Sequence, residues 1–407
     1  MRLAVELDGT RVGHLEGGDA RSFDFTSTAE GRERFGAGST VLSVALPLLK
    51  ELPRHHVGRR RNWFSELLPE GDQYDFLLAQ ASLRRGDTLG FLARYGRDVA
   101  GAVQLWDIED PTEPRVPELR PVNDREIRRL LEEPLQTPLA NDRYRGKTSL
   151  AGVQTKIVLA RAEGRWQQAL GGYPSTHIIK PLVRENPTTI FDEEFGSRVM
   201  RRLGLAGHDT RVTEFDGLSA LVVERFDRAH GKRVHQEDFN QALGAAGAEK
   251  YQEYGGKVSL RRIASTLETF TPRSDLRQFA RMVCAAVVLG NLDMHAKNIG
   301  LLHGLDRAPR LAPAYDFVPQ AHVPGLDGKL ALAVNGRYGL AGIDASDLAQ
   351  EVSTWGMRGA DRLVSATLAE LSDILESENP LPGAYDRLRA DLLDAAYRLS
   401  RGEPRGA

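Results

Sequence analysis

Cysteine is almost missing: the chain holds one, Cys284, in 407 residues. No intrachain disulfide can form, nothing demands an oxidising compartment, and no Cys/His cluster of the metal-binding kind exists in the sequence. Cys284 sits in the apolar run Phe279-Ala280-Arg281-Met282-Val283-Cys284-Ala285-Ala286-Val287-Val288-Leu289, which marks a buried, inert thiol rather than a nucleophile. Long apolar runs are missing too. No stretch is long enough to span a bilayer, and residues 1–9 read as strand and turn rather than as a signal peptide. The expected compartment is the cytoplasm, with no membrane partner. An excess of either charge is also missing. The net charge is -2, which excludes a globally basic nucleic-acid surface. The local run Arg59-Arg60-Arg61 is read as solvated charge rather than as a DNA contact. Internal repeats, a Walker A sequence and a Gly-x-Gly-x-x-Gly loop are absent as well.

What is present is an ordinary globular balance, 41% hydrophobic and 27% charged residues, in a length that suits two or three structural units. Val5-Glu6-Leu7, Asp8-Gly9 and Val12-Gly13-His14-Leu15 predict an opening hairpin on a primed turn. Phe23-Asp24-Phe25, Val41-Leu42-Ser43-Val44-Ala45-Leu46 and Gly101-Ala102-Val103-Gln104-Leu105-Trp106 predict strands. Asn62-Trp63-Phe64-Ser65-Glu66-Leu67-Leu68 predicts a helix stopped by Pro69-Glu70-Gly71. Pro111, Pro114, Pro117 and Pro121 punctuate a polar stretch that reads as a linker, followed by a helix over 125–133. Short apolar runs then return, Ile157-Val158-Leu159-Ala160, His177-Ile178-Ile179-Lys180 and Ala220-Leu221-Val222-Val223, interrupted by a helix over about 193–203. Beyond about residue 236 the spacing is helical almost throughout, with amphipathic segments at 276–290, 361–375 and 385–399. The fold class expected is α+β, bilobal and protein-kinase-like. Its parts are an α+β N-terminal subdomain (1–110), a linker and helix (111–145), a β-rich N-lobe (146–235), an all-helical C-lobe (236–400) and a disordered tail (401–407).

The chemistry is concentrated in Gly290-Asn291-Leu292-Asp293-Met294-His295-Ala296-Lys297-Asn298. Asp293 and Asn298 have the spacing of base and metal-binding amide in a kinase catalytic loop. Phosphoryl transfer needs a carboxylate beside the attacking hydroxyl and an oxygen nearby to hold Mg²⁺ against the phosphates. Downstream, Asp316 in Ala312-Pro313-Ala314-Tyr315-Asp316-Phe317 follows an apolar run and suits the second metal ligand. Upstream, Lys180 ends an apolar strand and suits the phosphate-contacting lysine, with Glu193 on the following helix as its ion-pair partner. On spacing alone 146–156 is a turn.

Taken together, Ser149-Leu150-Ala151-Gly152-Val153-Gln154-Thr155-Lys156, Thr176-His177-Ile178-Ile179-Lys180, Val223-Glu224-Arg225-Phe226-Asp227-Arg228, His235-Gln236-Glu237-Asp238-Phe239 and the 290–298 stretch resemble the HipA family. That family comprises the serine/threonine kinase toxins of bacterial type II toxin–antitoxin systems. Asn62-Trp63-Phe64-Ser65-Glu66-Leu67-Leu68-Pro69-Glu70-Gly71 is similar to its N-terminal subdomain. The resemblance implies that Asp293 is the general base and that Asn298 and Asp316 hold Mg²⁺. It places ATP against Lys180, the loop Ala151, Gly152, Val153, Gln154, Thr155 and Lys156, and the hinge backbone of Glu224, Arg225 and Phe226. His295, Ala296, Lys297 and Tyr315 would line the nucleotide site, and Ser149 matches the serine whose autophosphorylation switches the kinase off. A helix-turn-helix antitoxin resembling HipB, operator DNA held mainly through it, and a protein substrate from the translation machinery, such as an aminoacyl-tRNA synthetase, are the implied partners. Two departures stand out. Val318 replaces the glycine of Asp-Phe-Gly, and no His-Arg precedes Asp293, where Asn291 is the candidate for orienting the loop.

Two other classes stay open on the sequence. The chain could act chiefly as a binding module for the antitoxin, or as a small-molecule phosphotransferase sharing the Asp-x-x-x-x-Asn layout. The stretch 235–239 reads either as part of the functional motif or as a helix cap, with Asp238 a solvated end.

Overall fold

The Asp8-Gly9 pair closes the first hairpin with both residues at positive φ (51° and 76°), the backbone of a primed two-residue turn. Leu7 faces Thr10 across it. The hairpin is the centre of a four-stranded antiparallel sheet that adds Phe23–Ser27 on one side and Val103–Asp107 on the other. Leu3, Val5, Leu7, Phe25, Val103 and Leu105 are fully buried and pack with Trp63, Phe64, Phe91 and Tyr95 from the helices Val57–Ser65 and Thr88–Tyr95. The computed structural model describes residues 1–17, 22–113, 116–133, 139–141, 146–150, 154–229, 231–305 and 307–406.

Two compact units emerge. The first comprises Met1–Pro181, Thr213–Ala246 and Leu302–Arg307; the second comprises Leu182–Val212, Gly247–Leu301 and Ala308–Ala407. In the first, a six-stranded sheet runs in the order Glu118–Pro121, Arg165–Leu170, Ile157–Ala162, His177–Pro181, Leu218–Glu224, Thr210–Phe215. The expected linker therefore contributes the edge strand Glu118–Pro121, where a proline costs no central ladder bond. The helix Asp124–Glu132 follows, started by a reciprocal Asn123/Glu126 capping box.

Two further expectations fail in this unit. Residues 41–46 form no strand, because the Ser43 hydroxyl and the Val44 N–H both donate to Glu237 (2.5 and 2.9 Å) and Leu46 N–H turns back to the Ser43 carbonyl. Glu237 also accepts from Trp63 Nε1 (2.9 Å) and lies 3.0 Å from His303 Nε2, so the carboxylate is a buried hub. Nor is 59–61 simply solvated charge. Arg60 is buried, with its guanidinium bidentate on Asp24 at 2.6 and 2.8 Å. Asp238 caps the helix Phe239–Leu243, so the capping reading of this motif holds for Asp238 while Glu237 points inward.

A buried ionic network lies in the same unit. Arg225 is bidentate on Asp227 (2.9 and 2.8 Å), Arg228 reaches Asp98 at 2.9 Å, and Ser175 Oγ donates to Asp98 at 2.6 Å. Burial alone would raise both carboxyls, yet the surrounding arginines hold Asp98 and Asp227 well below the usual range.

The second unit is built on the helix Arg273–Leu289, buried on nearly every face and ended by Gly290 in the left-handed region (φ 65°). Cys284 lies in its buried centre, and burial pushes the thiol up to about 12. The helices Leu260–Phe270, Ala360–Ser377 and Leu388–Ser400 pack around it. The all-helical expectation for 236–400 fails, whichever unit the residues fall in: Gly300–Gly304, Arg307–Leu311, Lys329–Val334 and Arg337–Gly339 are strands. These runs are short and bounded by turns, and the broad helical periodicity on either side conceals them. Nor do the described tail residues, 401–406, match the disordered tail expected. Arg405 is buried and donates through Nε to the Val287 carbonyl at 2.7 Å, satisfying an acceptor at the end of the central helix.

Candidate active site

The segment after Gly290 folds onto itself. Asn291 N–H donates to the Ala286 carbonyl, and Asn291 Oδ1 accepts from the Asp293 N–H at 3.2 Å. The Asn291 side chain thus holds the backbone at Asp293. The Asp293 carbonyl takes two donors, the His295 N–H at 2.7 Å and Asn298 Nδ2 at 2.8 Å. The second bond fixes the amide: the nitrogen of Asn298 faces the Asp293 carbonyl, and its oxygen takes no part in that bond. The Ala296–Asn298 helical turn brings Asp293 and Asn298 together over the sequence spacing that first marked them.

The Asp293 side chain is 44% exposed, whereas His295 beside it is 7% exposed, with Nε2 3.8 Å from Asp293 Oδ1. Tyr251 donates its hydroxyl to the same Oδ1 at 3.0 Å, and its ring meets the His295 ring edge-on at 5.2 Å. Burial first, then the neighbouring Lys250 and Lys297 charges, push the His295 imidazole down to about 3, against the opposing pull of Asp316. His295 is thus a neutral imidazole at ordinary pH. Among the described residues its buried Nδ1 has no hydrogen-bond partner, which makes it a polar atom suited to a ligand. Lys297 and Ala296 are buried, and the Lys297 carbonyl accepts the Tyr315 hydroxyl at 2.8 Å, which ties the loop to the Asp316 segment.

Asp316 has a left-handed backbone, φ 57°. Such geometry at an aspartate is tolerated but strained, and strain of this kind gathers at functional positions. Its chain neighbours are clamped. Phe317 is buried, and its carbonyl would stand 2.1 Å from any Cβ at Gly196, so the helix Thr189–Arg202 can approach only because that residue is glycine. Glu193 is buried on the same helix. Asn298 and Asp316 offer only hard oxygen donors, which is what Mg²⁺ takes from a protein when water and phosphate oxygens complete its shell. The donor chemistry therefore fits the expected ion.

The remaining predicted residues belong to the first unit. Lys180 is buried on the strand His177–Pro181, opposite Leu221. Lys156 is buried and its carbonyl accepts from Gln73 Nε2 at 3.0 Å; Gln154 and Thr155 before it are half-buried. Glu224 is exposed at the end of its strand and Phe226 is half-buried. Arg225 N–H donates to the Thr176 carbonyl and its guanidinium serves the ionic network, so only its carbonyl remains for a hinge role. Ser149 is fully buried. Ala151, Gly152 and Val153 lie outside the described residues. Sequence reasoning missed Tyr251, which stands 42 residues before Asp293, and the buried Lys250. Their only local signal was a turn before Gly255-Gly256.

Comparison with known proteins matches residues 148–375 to the HipA-like C-terminal domain and residues 3–106 to the HipA N-terminal domain. The Sinorhizobium fredii protein Y4mE, whose name marks it as a candidate kinase, is 32% identical over 83% of this chain and 84% of its own. The serine/threonine-protein kinase toxin HipA of Shewanella oneidensis is 28% identical over 72% of this chain and 70% of its own. A solved complex of HipA, HipB and operator DNA from Shewanella oneidensis superposes with a TM-score of 0.79 at 22% identity, covering 98% of this chain and 96% of that one. The two chains share a fold.

Proposed function

The chain belongs to the HipA family, and from that premise we propose that it is a Mg²⁺–ATP-dependent protein serine/threonine kinase acting as a toxin. The observation that carries this reading is the pair Asp293 and Asn298. One is a half-exposed carboxylate, and the other a buried amide whose nitrogen is tied back to the Asp293 carbonyl, which leaves its oxygen for a cation. Bound Mg²⁺–ATP supplies the transferable phosphoryl group and neutralises its charge. Asp293 accepts the proton of a serine or threonine hydroxyl as the hydroxyl oxygen bonds to the γ-phosphorus. The bond from that phosphorus to the bridging oxygen breaks, and ADP leaves. Asn298 and Asp316 would hold the ion through oxygen, and neutral His295 offers a ring nitrogen without adding a second positive charge.

On the same reading Lys180 contacts the phosphates with Glu193 as its ion partner. Gln154 to Lys156, with the residues before them, cover the phosphates. The Glu224 to Phe226 backbone meets adenine, and Ser149 is the site of self-inactivation. The partners that follow are a HipB-like antitoxin, operator DNA through it, and a protein of the translation machinery as substrate. Support comes from the family and from a relative named as a kinase toxin.

The test is transfer of radiolabel from ATP to protein by the purified chain, set against Asp293→Asn and Asp316→Asn. Label appearing equally with all three would discard the assignment.

A further inference from the structure

Tyr251 lies outside every motif that marked the site, yet its hydroxyl is 3.0 Å from Oδ1 of Asp293. The geometry points to Tyr251 as the positioning residue of the catalytic carboxylate, holding Asp293 in the orientation that meets the acceptor hydroxyl. The role presupposes that Asp293 is the base of a kinase.

An aspartate side chain that is 44% exposed would ordinarily move among rotamers. The Tyr251 hydroxyl, donating to Oδ1, favours one of them and so sets how the carboxylate stands. That donor must itself be fixed, and it is. Gln252 N–H donates to the Ala331 carbonyl, the Ala333 N–H donates to Gln252 Oε1 at 3.0 Å, and Lys329 Nζ lies 3.4 Å from Glu253. These bonds strap the tyrosine's turn to the strand Lys329–Val334. The same strand holds the catalytic loop, because Ala331 N–H donates to the Leu292 carbonyl at 3.0 Å. Donor and acceptor are thus referenced to one strand. The Tyr251 ring packs on His295 and would do so without its hydroxyl, so the hydroxyl is separable from the packing. Placing a reacting group correctly is a large part of such catalysis, and small displacements are costly.

The experiment measures phosphate transfer from radiolabelled ATP to casein and to the chain itself. It compares wild type, Y251F, Y254F, D293N and the double variant Y251F/D293N. Y251F is expected to lose kcat by about 10- to 100-fold, with the KM for ATP within about twofold and the melting temperature unchanged. Y254F removes a hydroxyl from a residue 60% exposed on the same turn and is expected to match wild type. The double variant is expected to be no slower than D293N, because the hydroxyl acts through the carboxylate it holds. Wild-type kcat in Y251F, or a Y251F loss that adds in full on the D293N background, overturns the role of Tyr251 alone. A wild-type chain that binds ATP and labels neither acceptor overturns the kinase reading and this role with it.

Discussion

The Ser149 hydroxyl donates a 2.7 Å hydrogen bond to the carbonyl of Leu67, and the residue exposes no surface to solvent. Its own N–H donates to the Asp98 carbonyl, and Thr148 before it is held at both ends by Asn141. A phosphate carries up to about two negative charges, and this pocket offers a backbone carbonyl where those charges would stand. Modified Ser149 must therefore leave its place. Ser149→Ala is expected to keep transfer to other proteins and to show no label at this position by mass spectrometry. Ser149→Asp is expected to lose about 3–5 kcal/mol of stability in urea denaturation, since it buries a carboxylate against the Leu67 carbonyl. A Ser149→Asp chain as stable as wild type would contradict this account.

On the proposed reading, Asp293→Asn keeps the shape and removes the proton acceptor, so transfer is expected to fall by about 10²–10⁴-fold. Asn298→Asp and Asn298→Leu separate two roles. The first retains an oxygen for the ion but loses the bond to the Asp293 carbonyl; the second loses both. Transfer titrated against Mg²⁺ should show a right-shifted curve for the aspartate and no saturation for the leucine.

In the first unit, Asp227 is buried among Arg225, Arg228 and the Gly101 N–H. Asp227→Ala leaves two buried guanidinium groups short of a partner and is expected to cost about 3–5 kcal/mol. Urea unfolding monitored by tryptophan fluorescence measures it. Arg211→Ala, which breaks an exposed pair with Asp209, is expected to change stability by less than about 1 kcal/mol.

These contrasts show what a linear reading reaches. The opening hairpin, the strands around residues 157, 177 and 220, and the central helix were legible because each is local: a turn dipeptide, a two-residue alternation, a helical spacing. Asp293 with Asn298 was legible for the same reason, since one short loop carries both. Tyr251 was not, because the chain travels through two helices before it meets Asp293. The segment 41–46 alternates like a strand, but Glu237, almost two hundred residues later, takes its donors. Arg60 looked like surface charge because nothing within the helix Val57–Ser65 reveals Asp24 beneath it.

Acid should weaken the protein through His235. The imidazole is buried and lies 2.7 Å from the Leu42 carbonyl; burial, then nearby His303, lower it from 6.5 to about 4. Between those values the unfolded chain binds a proton that the folded chain refuses. Stability therefore rises with pH across this window and is lost as pH falls from 6.5 toward 4, by about 3 kcal/mol for this one group. His208, also lowered to about 4, acts in the same direction. Urea midpoints from pH 7 to pH 4.5 should fall steeply for wild type and more gently for His235→Asn; parallel slopes would remove His235 as a cause.

The left-handed backbone at Asp316 has an evolutionary corollary. Glycine adopts that conformation without steric strain, so Asp316→Gly is expected to relieve backbone strain here and, on the proposed reading, to label no acceptor. A laboratory population selected for heat resistance alone would accumulate glycine at this position and go silent without ever misfolding. Screens that score folding by yield or thermal tolerance will rank that dead lineage among their successes, and only a screen that reads phosphate will tell the two apart.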